Sequence, residues 1–167
     1  AKKSGIKTIV DFFNTKNIED LKKYHHNIDV ICASNVICHI PDLINLIQTI
    51  DKLLTKNGYF IFEEPYMGAM FEKVSYDQIY DEHIFMFSIN SVKKVFNLFD
   101  FELIDFFHQN THGGSIRYVV SRKGKQAIRD SVINGLALEN KKNLDNLESC
   151  INFKKNCEES KSKIKDN

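Results

Sequence analysis

One short stretch of the sequence carries the side chains best suited to acid–base chemistry. Tyr80, Glu82 and His83 lie within four residues of one another. Histidine is the best single candidate for a base, because its ordinary pKa lies near neutral pH. Glu82 could orient or charge the imidazole, and Tyr80 could donate to a developing oxyanion. The same spacing is compatible with a solvated loop that holds a structural ion pair, and the two interpretations stay open at this point.

Other candidate residues directly follow predicted strands. Their position matters because ligands of open α/β sheets bind beyond the carboxyl ends of the strands. His39 follows one of these strands and stands at the start of a predicted helix, where a capping or packing role is the ordinary interpretation. Phe12 and Phe13 could flank a flat ring such as adenine, or serve as core aromatics. A third candidate position, beyond the end of the predicted strand 59–64, begins at Glu63.

These residues must be positioned by an alternation of strands and helices, which predicts an α/β fold with a parallel sheet. Predicted strands cover 6–13, 28–34, 59–64, 101–109 and 115–121. Predicted helices cover 17–26, 41–55 and 90–99. The tail from 125 to 167 predicts either two helices or one long helix that is broken near Asn140. The run 28–34 is almost wholly apolar and predicts a strand that is buried on both faces. The stretch 66–83 resembles a loop, and the turn-rich link 110–114 favours an antiparallel last pair.

Composition excludes few functions. The 167 residues carry a formal net charge of +1, which demands neither nucleic acid nor an anionic membrane as a partner. The four cysteines form no C-x-x-C pair and no zinc spacing, so we predict no metal site and a reducing compartment, the cytoplasm. No apolar run reaches the length of a membrane span. The oligomeric state stays open.

Three stretches resemble a known family: 63–88, Ser34 to Leu43, and His112 to Arg117. The segment 63–88, which runs Glu-Glu-Pro-Tyr-Met-Gly and ends in Tyr-Asp-Glu-His-Ile-Phe-Met-Phe-Ser, carries most of the likeness. It is similar to the S-adenosylmethionine-dependent nucleotide-sugar 3-C-methyltransferases that build branched deoxysugars, such as the tetronitrose-pathway enzyme. The resemblance covers about residues 1–135 well and the helical tail more loosely.

The resemblance implies a class I methyltransferase (Rossmann-like) sheet with strand order 3-2-1-4-5-7-6, here truncated on its amino-terminal side and followed by a helical carboxy-terminal extension. It implies a partial methyltransferase domain over 1–123 and the start of a sugar-binding domain over 124–167. The family's first two strands, its glycine-rich loop and its zinc-binding domain would precede Ala1, so zinc is expected only there. We therefore expect a bare edge on the family's fourth strand and weak binding of S-adenosylmethionine by these 167 residues alone.

The resemblance also implies a reaction and a set of site residues. The family methylates a carbon next to the ketone of a nucleotide-linked 4-keto-deoxysugar. His83 would be the base, and Tyr80, Glu82 and His39 would orient the base or contact the sugar. The cofactor would contact Asp11, Phe12, Phe13, Ser34 and Asn35. The candidates for the nucleotide-sugar are Tyr66, Met67, Tyr76, Ser115 and Arg117. An O- or N-methyltransferase of the same fold and a truncated, non-catalytic binding module stay open as alternatives.

Overall fold

The computed structural model describes residues 2–165, and of residues 18–20 and 165 only the backbone. The strands are β1 (Ile28–Ser34), β2 (Leu54–Pro65), β3 (Phe101–Gln109) and β4 (Ser115–Arg122). The α-helices are α1 (Leu43–Leu53), α2 (Met67–Lys73), α3 (Ile89–Asn97), α4 (Asp130–Lys141) and α5 (Leu147–Lys165). Short 3-10 turns include Ile18–Tyr24, Ile37–His39, Tyr76–Gln78 and Thr111–Gly113.

The four strands form one sheet in the order β1-β2-β4-β3. β1 and β2 are parallel, whereas β4 runs antiparallel to both β2 and β3. This is the 4-5-7-6 part of the strand order that the family resemblance implies. The α/β class, the methyltransferase-like sheet, the antiparallel last pair and the two carboxy-terminal helices are therefore confirmed.

The core lies against one face of the sheet. Phe60 and Phe62 of β2 alternate toward it and meet Tyr118 of β4, with the Phe62 and Tyr118 rings stacked at 5.0 Å. Helices α1, α3 and α4 pack on this face, and α4 contributes Val132 to the same core. The predicted domain boundary at residue 123 stays a prediction.

The prediction that β1 is buried on both faces is wrong. Val30, Cys32 and Ser34 are exposed. Helices α1, α3 and α4 pack on the opposite face of the sheet, and β1 is an edge strand. One face of β1 therefore has no layer over it within residues 2–165.

The predicted strand over 6–13 is also wrong. The segment has no strand geometry, and Val10 and Phe12 are 81% and 82% exposed. A strand needs a hydrogen-bonded neighbour, and no described residue pairs with this segment or with the outer edge of β1. The bare outer edge that we expected on β1, which corresponds to the family's fourth strand, is confirmed for residues 2–165.

Several boundaries differ from the sequence prediction, and the helix predicted over 17–26 is a 3-10 helix, Ile18–Tyr24. α1 starts at Leu43, because Asp42 caps it by accepting the Asn45 N–H at 2.9 Å. Residues 54–58, predicted as a helix end and a turn, belong to β2, where the ladder with β1 is irregular. The stretch 66–83 contains α2 and a 3-10 turn, so it is a loop only in part.

Candidate active site

The carboxyl ends of β1 and β2 lie side by side, because the two strands are parallel neighbours. The 3-10 turn Ile37–His39 follows β1, and the segment that carries His83 follows β2 and α2. The backbone N–H groups of Ile84 and Phe85 donate to the Cys38 carbonyl oxygen at 2.9 and 3.3 Å. These bonds tie the two segments together and bring their histidines into contact.

His83 is half-buried, and both of its ring nitrogens have partners. Nδ1 lies 2.8 Å from the Gln78 carbonyl oxygen, and Nε2 lies 2.8 Å from the Tyr80 hydroxyl. A carbonyl oxygen can only accept, so Nδ1 carries the ring proton. In the neutral imidazole Nε2 then offers its lone pair, and Tyr80 donates to it. In this tautomer Nε2 is the nitrogen that can act as a base.

His39 has the same arrangement. Its Nδ1 lies 2.7 Å from the Glu82 carbonyl oxygen, which leaves Nε2 as the lone-pair nitrogen. The rings of His39 and His83 lie 5.0 Å apart between centroids. Glu82 acts here through its backbone, while its side chain is exposed. The structure thus brings together His39, Tyr80 and His83, and it places the Glu82 carbonyl beside them.

Glu64 is a residue of this region that the sequence prediction missed. Its side chain is fully buried, and its Oε1 accepts the backbone N–H groups of Val36 at 3.0 Å and Ile37 at 2.6 Å. The other oxygen, Oε2, is buried without a hydrogen-bond partner of normal geometry among residues 2–165. A signal existed, because Glu64 continues the core-facing alternation of Phe60 and Phe62. A carboxylate on the core face of a strand needs partners.

Cys38 neighbours both Glu64 and the two histidines. The pKa of its thiol is raised to about 12, first by burial and then by the neighbouring Glu64 carboxylate. The Cys38 sulfur and one ring nitrogen each of His39 and His83 lie within 4.8 Å of one another. Sequence spacing could not reveal this cluster, because its members come from two separated segments.

The candidate adenine residues lie beside His39. Phe12 and Phe13 line a cavity of about 310 Å³ that His39 also lines. Asp11 accepts hydrogen bonds from the Phe12 N–H at 2.7 Å and from Asn17 Nδ2 at 2.6 Å, so it shapes the backbone there. A cavity of this size between aromatic rings and the histidine fits a flat heterocycle.

The candidate residues for the methionine end of the cofactor follow β1. Asn35 has a positive φ of 51°, and its N–H donates to the Glu63 carbonyl oxygen at 2.8 Å. Its Nδ2 donates to the Ser34 hydroxyl at 3.2 Å, while its Oδ1 is buried with no partner among residues 2–165. An acceptor that lacks a donor fits an ammonium group, and S-adenosylmethionine carries one. The residues present therefore fit this cofactor.

The candidate sugar-nucleotide residues Tyr66 and Ser115 are neighbours, because Ser115 pairs with Pro65 and the Tyr66 N–H donates to the Gly114 carbonyl oxygen at 3.0 Å. Tyr66 is half-buried beside His108, and its pKa is raised by burial and then by Glu139. Ser115 is buried, and its hydroxyl donates to the Thr111 carbonyl oxygen at 3.1 Å. Tyr76 is 40% exposed, and the half-buried Met67 donates its N–H to the Phe87 carbonyl oxygen.

Arg117 is engaged in an ion pair. Its Nη2 and Nε lie 2.8 and 3.2 Å from Oε2 of Glu63, and Glu63 Oε1 accepts the Thr111 hydroxyl at 2.9 Å. The guanidinium is about half exposed, whereas the Glu63 side chain is nearly buried. A diphosphate would therefore have to compete with Glu63 for this arginine.

The sheet order and the polar cluster beyond β1 and β2 define a domain of the methyltransferase class. Residues 2–105 match the family model described as a methyltransferase domain. Residues 110–166 match the model described as a C-methyltransferase carboxy-terminal domain. The first match covers more than half of the chain, so the chain belongs to the methyltransferase domain family.

One relative extends this result. The chain is 26% identical over 136 residues to the C-methyltransferase NovU of Streptomyces niveus. The match covers 81% of this chain and 32% of the relative, so the chain spans about a third of that protein's length. Within residues 2–165, no helix is both long and apolar enough to cross a bilayer.

Proposed function

We propose that this chain serves in S-adenosylmethionine-dependent methylation of a carbon next to the ketone of a nucleotide-linked 4-keto-deoxysugar. The observation that carries the proposal is the His83 imidazole, whose Nδ1–H is held by the Gln78 carbonyl and whose Nε2 faces the Tyr80 hydroxyl. The match to a C-methyltransferase carboxy-terminal domain supports it. We place the protein in the cytoplasm.

The chemistry requires a base, because a carbon beside a ketone is no nucleophile until it loses a proton. Nε2 of His83 takes this proton, and the resulting imidazolium keeps its Nδ1–H on the Gln78 carbonyl oxygen. The Tyr80 hydroxyl donates to the Nε2 lone pair in the free protein, so it must first turn from Nε2 to the ketone oxygen, where it stabilises the enolate that forms. His39, whose ring centroid lies 5.0 Å from that of His83, contacts the sugar or orients the base.

When bound, S-adenosylmethionine supplies the electrophilic methyl group. Phe12 and Phe13 flank its adenine, and Asp11 supports them through the Phe12 backbone. Asn35, with Ser34 beside it, accepts the ammonium group through its unpartnered Oδ1. Contacts to the nucleotide-sugar come from Tyr66, Met67, Tyr76, Ser115 and Arg117.

Product analysis tests this proposal against methylation of an oxygen or a nitrogen, which also uses a base. The protein, as its gene encodes it, is given cofactor with a ¹³C-labelled methyl group and a nucleotide-linked keto-sugar. We expect a label that survives acid hydrolysis and shows the chemical shift of a methyl group on carbon. A label on oxygen or nitrogen contradicts C-methylation, and a bound but unmethylated sugar favours a binding module.

A further inference from the structure

The cluster of Cys38, His39 and His83 has the composition of a metal site. Its three ligand atoms lie within 4.8 Å of one another. A tetrahedral zinc ion holds sulfur and nitrogen ligands about 3.5 Å apart, given metal–ligand lengths of about 2.3 and 2.1 Å. A contraction of at most about 1.3 Å between ligand atoms would therefore close the cluster around one ion.

Both histidines are prepared to act as ligands. The Nδ1–H of His39 is held by the Glu82 carbonyl and that of His83 by the Gln78 carbonyl, at 2.7 and 2.8 Å. Metal-ligating histidines almost always donate their other ring N–H to such an acceptor. Tyr80, whose hydroxyl now faces Nε2 of His83, is 46% exposed and can turn aside.

The charge around the cluster favours a cation. Glu64 is fully buried beside Cys38, and its Oε2 has no partner of normal geometry among the described residues. A divalent cation that binds the sulfur releases the thiol proton to solvent as the metal–sulfur bond forms. The two charges of the ion are then balanced by the thiolate and by the Glu64 carboxylate, so the buried group as a whole is neutral.

We propose that Cys38, His39 and His83 bind one borderline-soft divalent cation of the zinc class. Sulfur and imidazole ligands select zinc, cobalt or nickel over magnesium and calcium. Binding itself does not depend on the proposed function. Its consequence does: an ion on Nε2 of His83 occupies the lone pair of the proposed base, so zinc inhibits methyl transfer.

Cobalt is the first probe, because a thiolate ligand gives it a charge-transfer band. The 167-residue chain, stripped with a chelator, is titrated with Co²⁺ in a variant in which Cys32, Cys150 and Cys157 are replaced by serine. These three thiols are exposed or partly exposed and lie outside the cluster, so Cys38 remains as the one thiol. We expect saturation at one equivalent with a sulfur charge-transfer band. Absence of the band, or of saturation, overturns the site.

Zinc calorimetry assigns the histidines. We expect His39→Ala and His83→Ala each to weaken Zn²⁺ binding at least about 10-fold. The matched control is His112→Asn, because His112 is exposed and its φ of 49° suits asparagine. Circular dichroism of each metal-free variant checks the fold. Equal affinity in all three variants overturns the proposal.

Activity separates the two proposals. If the protein transfers methyl groups, one equivalent of zinc should stop turnover and a chelator should restore it. Zinc binding by the gene-encoded protein, without any methyl transfer when zinc is removed, would leave the metal site standing and reject the proposed function. Methyl transfer that continues with zinc bound at His83 would reject the inhibitory consequence.

Discussion

Oε1 of Glu64 lies 2.6 Å from the backbone nitrogen of Ile37, across the gap between the ends of β2 and β1. The same oxygen accepts the Val36 N–H at 3.0 Å. The turn that starts there carries Cys38 and His39, so one buried carboxylate on β2 fixes the backbone that presents both residues. A residue of the sheet thus positions the turn that carries part of the candidate site.

This relationship predicts a difference between two substitutions of Glu64. Glu64→Gln keeps an oxygen acceptor, so we expect its free energy of unfolding to fall by about 1 kcal/mol or less. Glu64→Leu leaves the buried Ile37 N–H and the partly buried Val36 N–H without an acceptor and should cost about 2 kcal/mol or more. Urea unfolding measures both values.

The control for this pair is Glu72→Leu, because Glu72 makes an exposed pair with Lys142. An exposed ion pair contributes little, so this variant should lose less than about 1 kcal/mol. Equal losses for Glu64→Leu and Glu72→Leu would show that Glu64 does not anchor the turn.

The Cys38 thiol should be unreactive in the folded protein. The thiolate is the nucleophile, and the thiol pKa of about 12 leaves little thiolate at pH 8. We expect iodoacetamide to modify the exposed Cys32 at least about 100-fold faster than Cys38. Mass spectrometry of peptides measures both rates. In urea the two cysteines should react alike, and fast modification of folded Cys38 would contradict its burial.

The pair of Arg117 and Glu63 should show coupling in unfolding experiments. Arg117→Ala strands a nearly buried carboxylate, and we expect a loss of about 1–2 kcal/mol, moderated because the guanidinium is half exposed. Adding Glu63→Gln should restore part of the loss, with a coupling of about 1 kcal/mol in the double-mutant cycle. Strictly additive losses would mean that the two side chains do not interact in solution.

Cofactor binding by the 167 residues alone should be weak. The 167 residues contain no G-x-G-x-x-G motif, and the outer edge of β1 is bare within residues 2–165. We expect calorimetry with S-adenosylmethionine to give no binding at micromolar concentrations. Micromolar affinity would show that the cavity beside Phe12, Phe13 and His39 is sufficient by itself.

The sequence predicted those elements whose periodic pattern agrees with their packing. β1 has the predicted bounds, and the antiparallel pair of β3 and β4 differs from prediction by one residue. The segment 6–13 has strand-like composition, but composition cannot supply the neighbour that a strand needs. The local sequence pattern therefore predicted a strand correctly only where the described residues also include the neighbouring strand with which it pairs.

The candidate site was predictable in its residues but not in its connections. His39, Tyr80 and His83 stood out by type and by position after strands. Their tautomers depend on the carbonyls of Gln78 and Glu82, and any residue type has a carbonyl. The role of Glu64 toward Val36 depends on strand register, which one sequence does not reveal.

The most direct test of the account is proton exchange at the substrate carbon beside the ketone. With the gene-encoded protein in deuterated water, we expect deuterium to enter that position, and His83→Asn to slow the entry by about 100-fold or more. Cofactor affinity should stay nearly unchanged, and the control His112→Asn should exchange like the wild type. Unchanged exchange in His83→Asn would contradict the assignment of His83 as the base.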